Sequence, residues 1–309
     1  MAERKWTYDH IPSQSGRVIL ITGGNSGLGY QEALMMAKKG AEVIVAGRDR
    51  NKVNTAIKTI AKQVPNAKLS NVMLDLADLN SVSNCAKEVQ QTYERIDLLI
   101  NNAGVMIPSF SRTKQGFELQ FGTNHLGHFA LTGQLLPLIL QTPNSRIASM
   151  TSLAGIAGSI DFSDLNYENR RYMKMLAYGQ SKLANLMFIN ELANRLKNAG
   201  SKTIAVAAHP GGSPTNLQRS GGFFFRRILT PLTSQPASKG ALPILRAACD
   251  PKVDNGSFWA PSGLFGLTGS PVEVKMPPKA VNKAQCEQLW DISERLTGVS
   301  YAKFLPAGN

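Results

Sequence analysis

The stretch "RVILITGGNSGLGYQEALMMAKKG", residues 17–40, restricts the fold of this chain more than any other. A short apolar run ends at Thr22 in a glycine-rich turn. Residues with helical spacing follow, and Gly40 stands where a left-handed cap would stop the helix. The reading is strand, turn, helix. The unit recurs: "AEVIVAG" precedes a polar helix from about Asp49, "KLSNVMLDL" precedes another from about Leu79, and "RIDLLINNAG" precedes a long helix containing Asn124. "SRIASMTS", the helix carrying Tyr178 and Lys182, "TIAVAAHPG", a helix near "PASKGALPILRAACD" and a last strand near "SFWAP" continue the series. Such alternation predicts an α/β fold: a Rossmann-type, doubly wound and mostly parallel sheet with helices on both faces. No linker or repeat divides the 309 residues, so one domain is expected, closed by a C-terminal helix around "CEQLWDISERL".

In that first unit Gly23, Gly27 and Gly29 lie between strand and helix. Glycines there let the backbone turn sharply and approach a pyrophosphate, while the helix N-terminus offers unpaired N–H groups to its charge. Asn25 and Ser26 add donors, and Leu28 lies within the same turn. The end of the second strand separates the two nicotinamide dinucleotides: a carboxylate would bind a free ribose 2'-hydroxyl, an arginine a 2'-phosphate. Arg48 follows Gly47 directly. Asp49 lies at the spacing of an NAD-type acid but suits the N-cap of the next helix better, so NADP(H) is expected ahead of NAD(H).

Composition narrows the alternatives. With 43% hydrophobic and 18% charged residues the chain is neither disordered nor fibrous. Cys85, Cys249 and Cys286 are far apart and lack CxxC spacing, which fits neither a disulfide framework nor zinc. The formal charge of +13 comes from dispersed Lys and Arg; a solvated basic surface is expected and nucleic-acid binding is not. The N-terminus has no apolar signal-like run and no segment is apolar enough to span a bilayer, so a cytoplasmic protein is expected.

In "LAYGQSKLANLMF" Tyr178 and Lys182 are four residues apart, and on a helix this places hydroxyl and ammonium on one face. Taken together, the motifs resemble the short-chain dehydrogenase/reductase family, in its retinol dehydrogenase-like branch. The match comprises TGxxxGxG from Thr22 to Gly29, Asp75 after the third strand, NNAG at 101–104, Asn124 in "TNHLGHF", Ser152 in "MTS", YxxxK at Tyr178 and Lys182, and PGxxxT from Pro210 and Gly211 to Thr215. It extends over residues 16–217; residues 218–309 would form a substrate lid and C-terminal elements.

The resemblance implies roles. Tyr178 would exchange a proton with the reacting oxygen, its phenol made acidic by the Lys182 ammonium and an oxidised nicotinamide. Ser152 would hydrogen-bond that oxygen, Lys182 would also hold the nicotinamide ribose, and Asn124 would anchor a relay water. Asp75 with Leu76, the turn Asn102, Ala103 and Gly104, and Pro210, Gly211 and Thr215 would border the cofactor. No metal is required, and His125, His128 and His209 match structural motifs rather than ligands. The implied substrate is a moderately large apolar carbonyl compound or secondary alcohol. Two other readings stay open: a nicotinamide-dependent double-bond reductase, and a catalytically silent NADP-binding sensor or interaction protein.

Two segments carry further expectations. The connection from Ser152 to Tyr178 is long, with a "DL" pair at Asp164 and Leu165 resembling the branch's insertion, and it borders the pocket or covers the sheet edge. Phe223, Phe224 and Phe225 with Arg226 and Arg227, hinged at Gly221 and Gly222, form a lid, a peripheral membrane contact or ordinary packing. The helix of Tyr178 either pairs with a copy of itself in a homodimer or homotetramer, or lies under the chain's own C-terminal segment.

Overall fold

The computed structural model describes residues 5–212, 235–263 and 265–305. Thr215, Gly221, Gly222 and the Phe223 to Arg227 segment lie outside them. One eight-stranded sheet runs in the order β3-β2-β1-β4-β5-β6-β7-β8. Its strands are β1 (Val18–Thr22), β2 (Glu42–Gly47), β3 (Lys68–Met73), β4 (Leu98–Asn101), β5 (Arg146–Met150), β6 (Ile204–Ala208), β7 (Phe258–Gly263) and β8 (Thr268–Val274). The first seven pair in parallel. Strand β8 returns antiparallel to β7, an edge that the sequence reading did not foresee. Winding reverses between β1 and β4, and the crevice beyond their carboxyl ends is where this topology receives ligands.

Alternation along β1 divides the interior into two cores. Val18 and Leu20 point to one face, Ile19 and Ile21 to the other. On the first face lie α3 (Leu79–Thr92), α5 (Gly127–Leu140) and α7 (Lys174–Asn198), with the short α4 (Leu119–Phe121) and α6 (Leu153–Ile156) at the crevice. On the second lie α1 (Gly27–Lys38), α2 (Arg50–Gln63), α8 (Ala237–Gly240) and α9 (Leu242–Cys249). Gly40 ends α1 as expected, at φ +89°. The expected helix around Asn124 is composite: α4 passes through a π turn, Gly122–Leu126, into α5.

The C-terminal helix α10 (Lys283–Thr297) packs over α5 and α7. Trp290 and Tyr301 meet Phe129 and Phe188 there, and the Tyr301 hydroxyl donates to the Phe129 carbonyl at 2.7 Å. The chain's own C-terminus therefore covers the apolar face of α7. Gly133 admits this close approach, since a Cβ there would lie 2.7 Å from the Tyr301 ring. Among the described residues, no helix is long and apolar enough to cross a membrane.

One buried group stands apart from these cores. Glu32 in α1 has no exposure, and neither carboxyl oxygen has a hydrogen-bond partner among the described residues; burial pushes its pKa up to about 8. Between the ordinary glutamate range and pH 8, the native state keeps a proton that the unfolded chain releases, so stability falls as pH rises through that window. Replacing Glu32 with Gln should remove a pH-dependent loss on the order of a few kcal/mol between pH 5 and 8, read from urea midpoints. Parallel pH profiles for the two proteins would refute the assignment.

Candidate active site

The glycine turn has the geometry the sequence requires. Gly23 and Gly27 take φ of +68° and +57°, and a Cβ on Gly29 would stand 2.4 Å from the Gly23 carbonyl and 2.5 Å from Asn102 Nδ2. Ser26 occupies the N-cap position of α1 but makes no capping bond, so the helix start offers its N–H groups toward the crevice. Asn25 reaches the end of β2, where a Cβ on Gly47 would lie 2.8 Å from its Oδ1. Arg48 follows on the surface with no ion-pair partner among the described residues. Asp49 caps α2 as expected: its Oδ1 accepts from the N–H groups of Asn51 and Lys52 at 3.1 Å each. The Lys52 bonds hold its carboxyl below the usual range.

Thr22 joins this turn to NNAG. Its Oγ1 accepts the N–H groups of Asn102 and Ala103 at 2.9 and 3.0 Å, while Asn102 Nδ2 donates to the Thr22 carbonyl at 2.9 Å. Next in line, the Asn124 amide pairs twice with Val105, accepting its N–H at 2.8 Å and donating to its carbonyl at 2.9 Å. Asn124 Nδ2 also donates to Ser181 Oγ at 3.0 Å, which ties the π turn to α7. Gly104 admits a close approach: a Cβ there would be 3.0 Å from Asn124 Oδ1 and 3.4 Å from Lys182 Nζ.

Tyr178 and Lys182 are buried on the face of α7 turned to the end of β5. Lys182 Nζ donates to the Met150 carbonyl at 3.2 Å and lies 5.9 Å from the Tyr178 ring centroid. The Thr151 hydroxyl donates to the Lys182 carbonyl at 2.7 Å, fixing α7 to the strand end. Ser152 caps α6, accepting the Ala154 N–H at 3.3 Å. Burial pushes the Tyr178 phenol up to about 12, with the Ser152 hydroxyl pulling the other way. Burial also lowers Lys182 to about 8. In the protein alone desolvation of the phenolate sets the direction; the acidity expected of Tyr178 calls on an oxidised nicotinamide as well as on the ammonium.

The remaining sequence-derived positions divide. Asp75 caps its own loop, accepting the Ala77 N–H at 3.0 Å, and Leu76 is buried against Gly127. Gly211 has φ +69° and packs on the Leu267 carbonyl, and the Pro210 carbonyl accepts from Gln235 Nε2 at 3.1 Å. His209 is buried beside them and shifted down to about 4 by burial. Among the described residues, no group of three or more His, Cys, Asp or Glu could hold a metal ion.

Sequence reasoning missed the polar hub that pins the long connection. Asp164 accepts the N–H groups of Glu168, Asn169 and Arg170, while Arg170 donates to the Asp164 carbonyl and to Gln180 Oε1. Glu118 accepts from the Gln120 and Phe121 N–H groups and from the Tyr172 hydroxyl at 3.0 Å. Gln120 completes the hub, accepting from the Ile107 N–H at 2.9 Å and donating to Tyr172 and the Lys174 carbonyl. Phe110, Met173, Met175 and Leu176 stand exposed close to this hub in the chain.

A glycine-lined switch point with a serine, a tyrosine and a buried lysine at one strand end defines a dinucleotide-dependent oxidoreductase of the doubly wound class. The chain belongs to the short chain dehydrogenase family, whose model matches residues 17–221. It is 38% identical to retinol dehydrogenase 13 of Mus musculus over 298 residues, covering 94% of this chain and 86% of that protein. It is 37% identical to retinol dehydrogenase 14 of Homo sapiens over 310 residues, covering 92% and 87%. Among solved structures, an uncharacterized protein from Mycobacterium paratuberculosis superposes with a TM-score of 0.82 at 41% identity, covering 96% of this chain and 99% of that one. A Shigella flexneri short chain dehydrogenase complexed with NADP shares the fold, with a TM-score of 0.63 at 22% identity over 80% of this chain and 97% of that one.

Lys182 supplies a test independent of activity. Below pH 8 the native and unfolded chains both carry the charge, and only the native one desolvates it. From pH 8 to its ordinary value near 10.5 the native state releases the proton first, so stability rises with pH. Lys182→Met should therefore raise stability at pH 7 by about 1–3 kcal/mol, seen as a higher urea midpoint. A fall of that size would mean that the ammonium is stabilising where it stands.

Proposed function

We propose that the protein is an NADP(H)-dependent oxidoreductase that interconverts an apolar carbonyl compound and its secondary alcohol, with Tyr178 as the general acid/base. The observation that carries this is Lys182: a buried ammonium with no carboxylate partner among the described residues, beside Tyr178 and close against the Gly104 backbone. A structural lysine so deep in a core would have a counter-charge or reach water. The residues also suit the cofactor: the bare α1 N-terminus and clash-limited glycines fit a pyrophosphate, and Arg48, with Asp49 committed to its cap, fits a 2'-phosphate.

When bound, the nicotinamide supplies the hydride chemistry. The chain's own residues manage the oxygen and its proton. Ser152 holds the reacting oxygen by a hydrogen bond, which orients the carbonyl and favours the charge that develops on it. Tyr178 delivers its hydroxyl proton to that oxygen in reduction and removes the alcohol proton in oxidation. Lys182 stabilises the phenolate and offers its remaining N–H donors to a ribose hydroxyl. Asn124 keeps the Gly104–Val105 loop clear of the cleft through its paired bonds to Val105. The Asp164 and Glu118 hubs pin the long connection to the start of α7 through Gln180 and Lys174.

A panel of ketones, aldehydes and alcohols with each nicotinamide cofactor tests the reading. Tyr178→Phe should lower kcat by about 10³-fold or more while NADPH still binds; a nearly unchanged rate would leave a sensor or interaction role. Products reduced at a carbon–carbon double bond would favour the other reductase. In Arg48→Ala the NADPH dissociation constant should rise about tenfold or more with NADH unaffected, and consistently better use of NADH by the unaltered protein would overturn the cofactor assignment.

A further inference from the structure

His128 lies at the start of α5, 1% exposed, with both ring nitrogens engaged. Nδ1 is 2.9 Å from the Asn124 carbonyl and Nε2 is 2.9 Å from Thr22 Oγ1. A carbonyl can only accept, so Nδ1 carries the hydrogen. Burial lowers the ring to about 4, so at neutral pH it holds one proton and Nε2 presents a lone pair. Thr22 must then donate to Nε2. The rival acceptor for the Thr22 proton, the Ile100 carbonyl, is at 3.4 Å, too long to compete with a 2.9 Å bond. With its hydrogen committed to His128, Thr22 Oγ1 has its lone pairs aimed at Asn102 and Ala103.

We propose that His128 is a positioning residue that couples the cofactor turn to the Asn124 turn, through Thr22 on one side and the Asn124 carbonyl on the other. The polarised sequence runs from the NNAG amides to Thr22, to the imidazole, to the segment that pairs with Val105 and Ser181. Gly23 sits against the same NNAG loop, since a Cβ there would be 3.1 Å from Ala103. A displacement of the phosphate turn is therefore felt at the π turn, and through Ser181 by the Tyr178 carbonyl, which accepts the Ser181 hydroxyl at 2.8 Å. A phenylalanine would fill the same volume; it would cut the sequence at both nitrogens. The kinetic consequence rests on the nicotinamide reading, whereas the tautomer and the coupling do not.

The two ends can be tested separately on the full chain. Nitrogen-15 NMR of the histidine side chains at pH 7 should show a neutral His128 with its proton on Nδ1. His128→Phe should raise the NADPH dissociation constant and lower kcat, each about tenfold, the loss expected for one buried hydrogen bond at each end. His128→Asn, which keeps a donor near Nδ1, should recover kcat, and His128→Gln, which keeps an acceptor near Nε2, should recover cofactor affinity. Thr22→Val combined with His128→Phe should weaken NADPH binding no more than the worse single change. An Nε2 proton, full multiplication of the two single effects, or wild-type behaviour of His128→Phe would each overturn the proposal. Should His128→Phe fail to fold, the tautomer and the Asn and Gln variants decide. Should the unaltered protein bind no NADPH, the functional reading falls, and the tautomer with a Thr22/His128 stability cycle still judges the coupling.

Discussion

A positive charge held in a dry place with no counter-charge among the described residues is the constraint on which the rest of this structure turns. Moving an ammonium out of water costs several kcal/mol unless its donors are satisfied, and Lys182 meets one carbonyl, that of Met150, at the end of a central strand. The surroundings hold it there by fixing both ends of the contact. Thr151 ties α7 to β5 through the Lys182 carbonyl, and Asn185 Nδ2 shares the Met150 carbonyl at 3.2 Å. With α7 so fastened, Tyr178 one turn earlier has its ring placed as well. Desolvated titratable groups gathered at one strand end are a common mark of functional sites.

Much of this could be read from the chain because its signals are local. A run such as "RVILIT" and a turn whose glycines must tolerate positive φ or a clashing neighbour announce themselves within ten residues. Asp49 declares its cap by position alone. The YxxxK spacing places two side chains on one helical face without knowledge of anything else. Where the reading stopped short, the cause was contact across long sequence separations. Glu118, Gln120 and Tyr172 look like ordinary polar residues until the fold brings them together. His128 shows the same limit: its i+4 spacing from Asn124 is visible, but the Thr22 hydroxyl that gives the ring its second partner lies 106 residues away. Strand β8 escaped notice because its exposure is mixed and Gly269 and Pro271 interrupt the usual pattern.

The acidity of Tyr178 illustrates a different gap between sequence and structure. Spacing correctly brings an ammonium near a phenol, yet the sign of the net effect depends on how much water each has lost. Both side chains are buried, so both shift toward their neutral forms, the phenol up to about 12 and the ammonium down to about 8. Acid–base work favours a group whose pKa lies near the working pH, so burial brings the ammonium toward that range and takes the phenol away from it. A positive charge added beside it would push the phenol back down.

The glycine turn after β1 and the tyrosine and lysine beside β5 share a frame, and in this chain the frame is built from uncharged hydrogen bonds. Thr22, Asn102, Asn124, Ser181 and His128 carry no net charge in the arrangement described, and each donor in the sequence has an acceptor within 3.0 Å. A neutral network responds little to added charge, so its geometry does not depend on the charged side chains Arg48 and Lys182. Buried networks of this kind are costly when half-satisfied and stiff when complete. The stiffness explains why so much of the site is preassembled in the protein alone. The turn, the NNAG loop, the π turn and the start of α7 are joined by these hydrogen bonds.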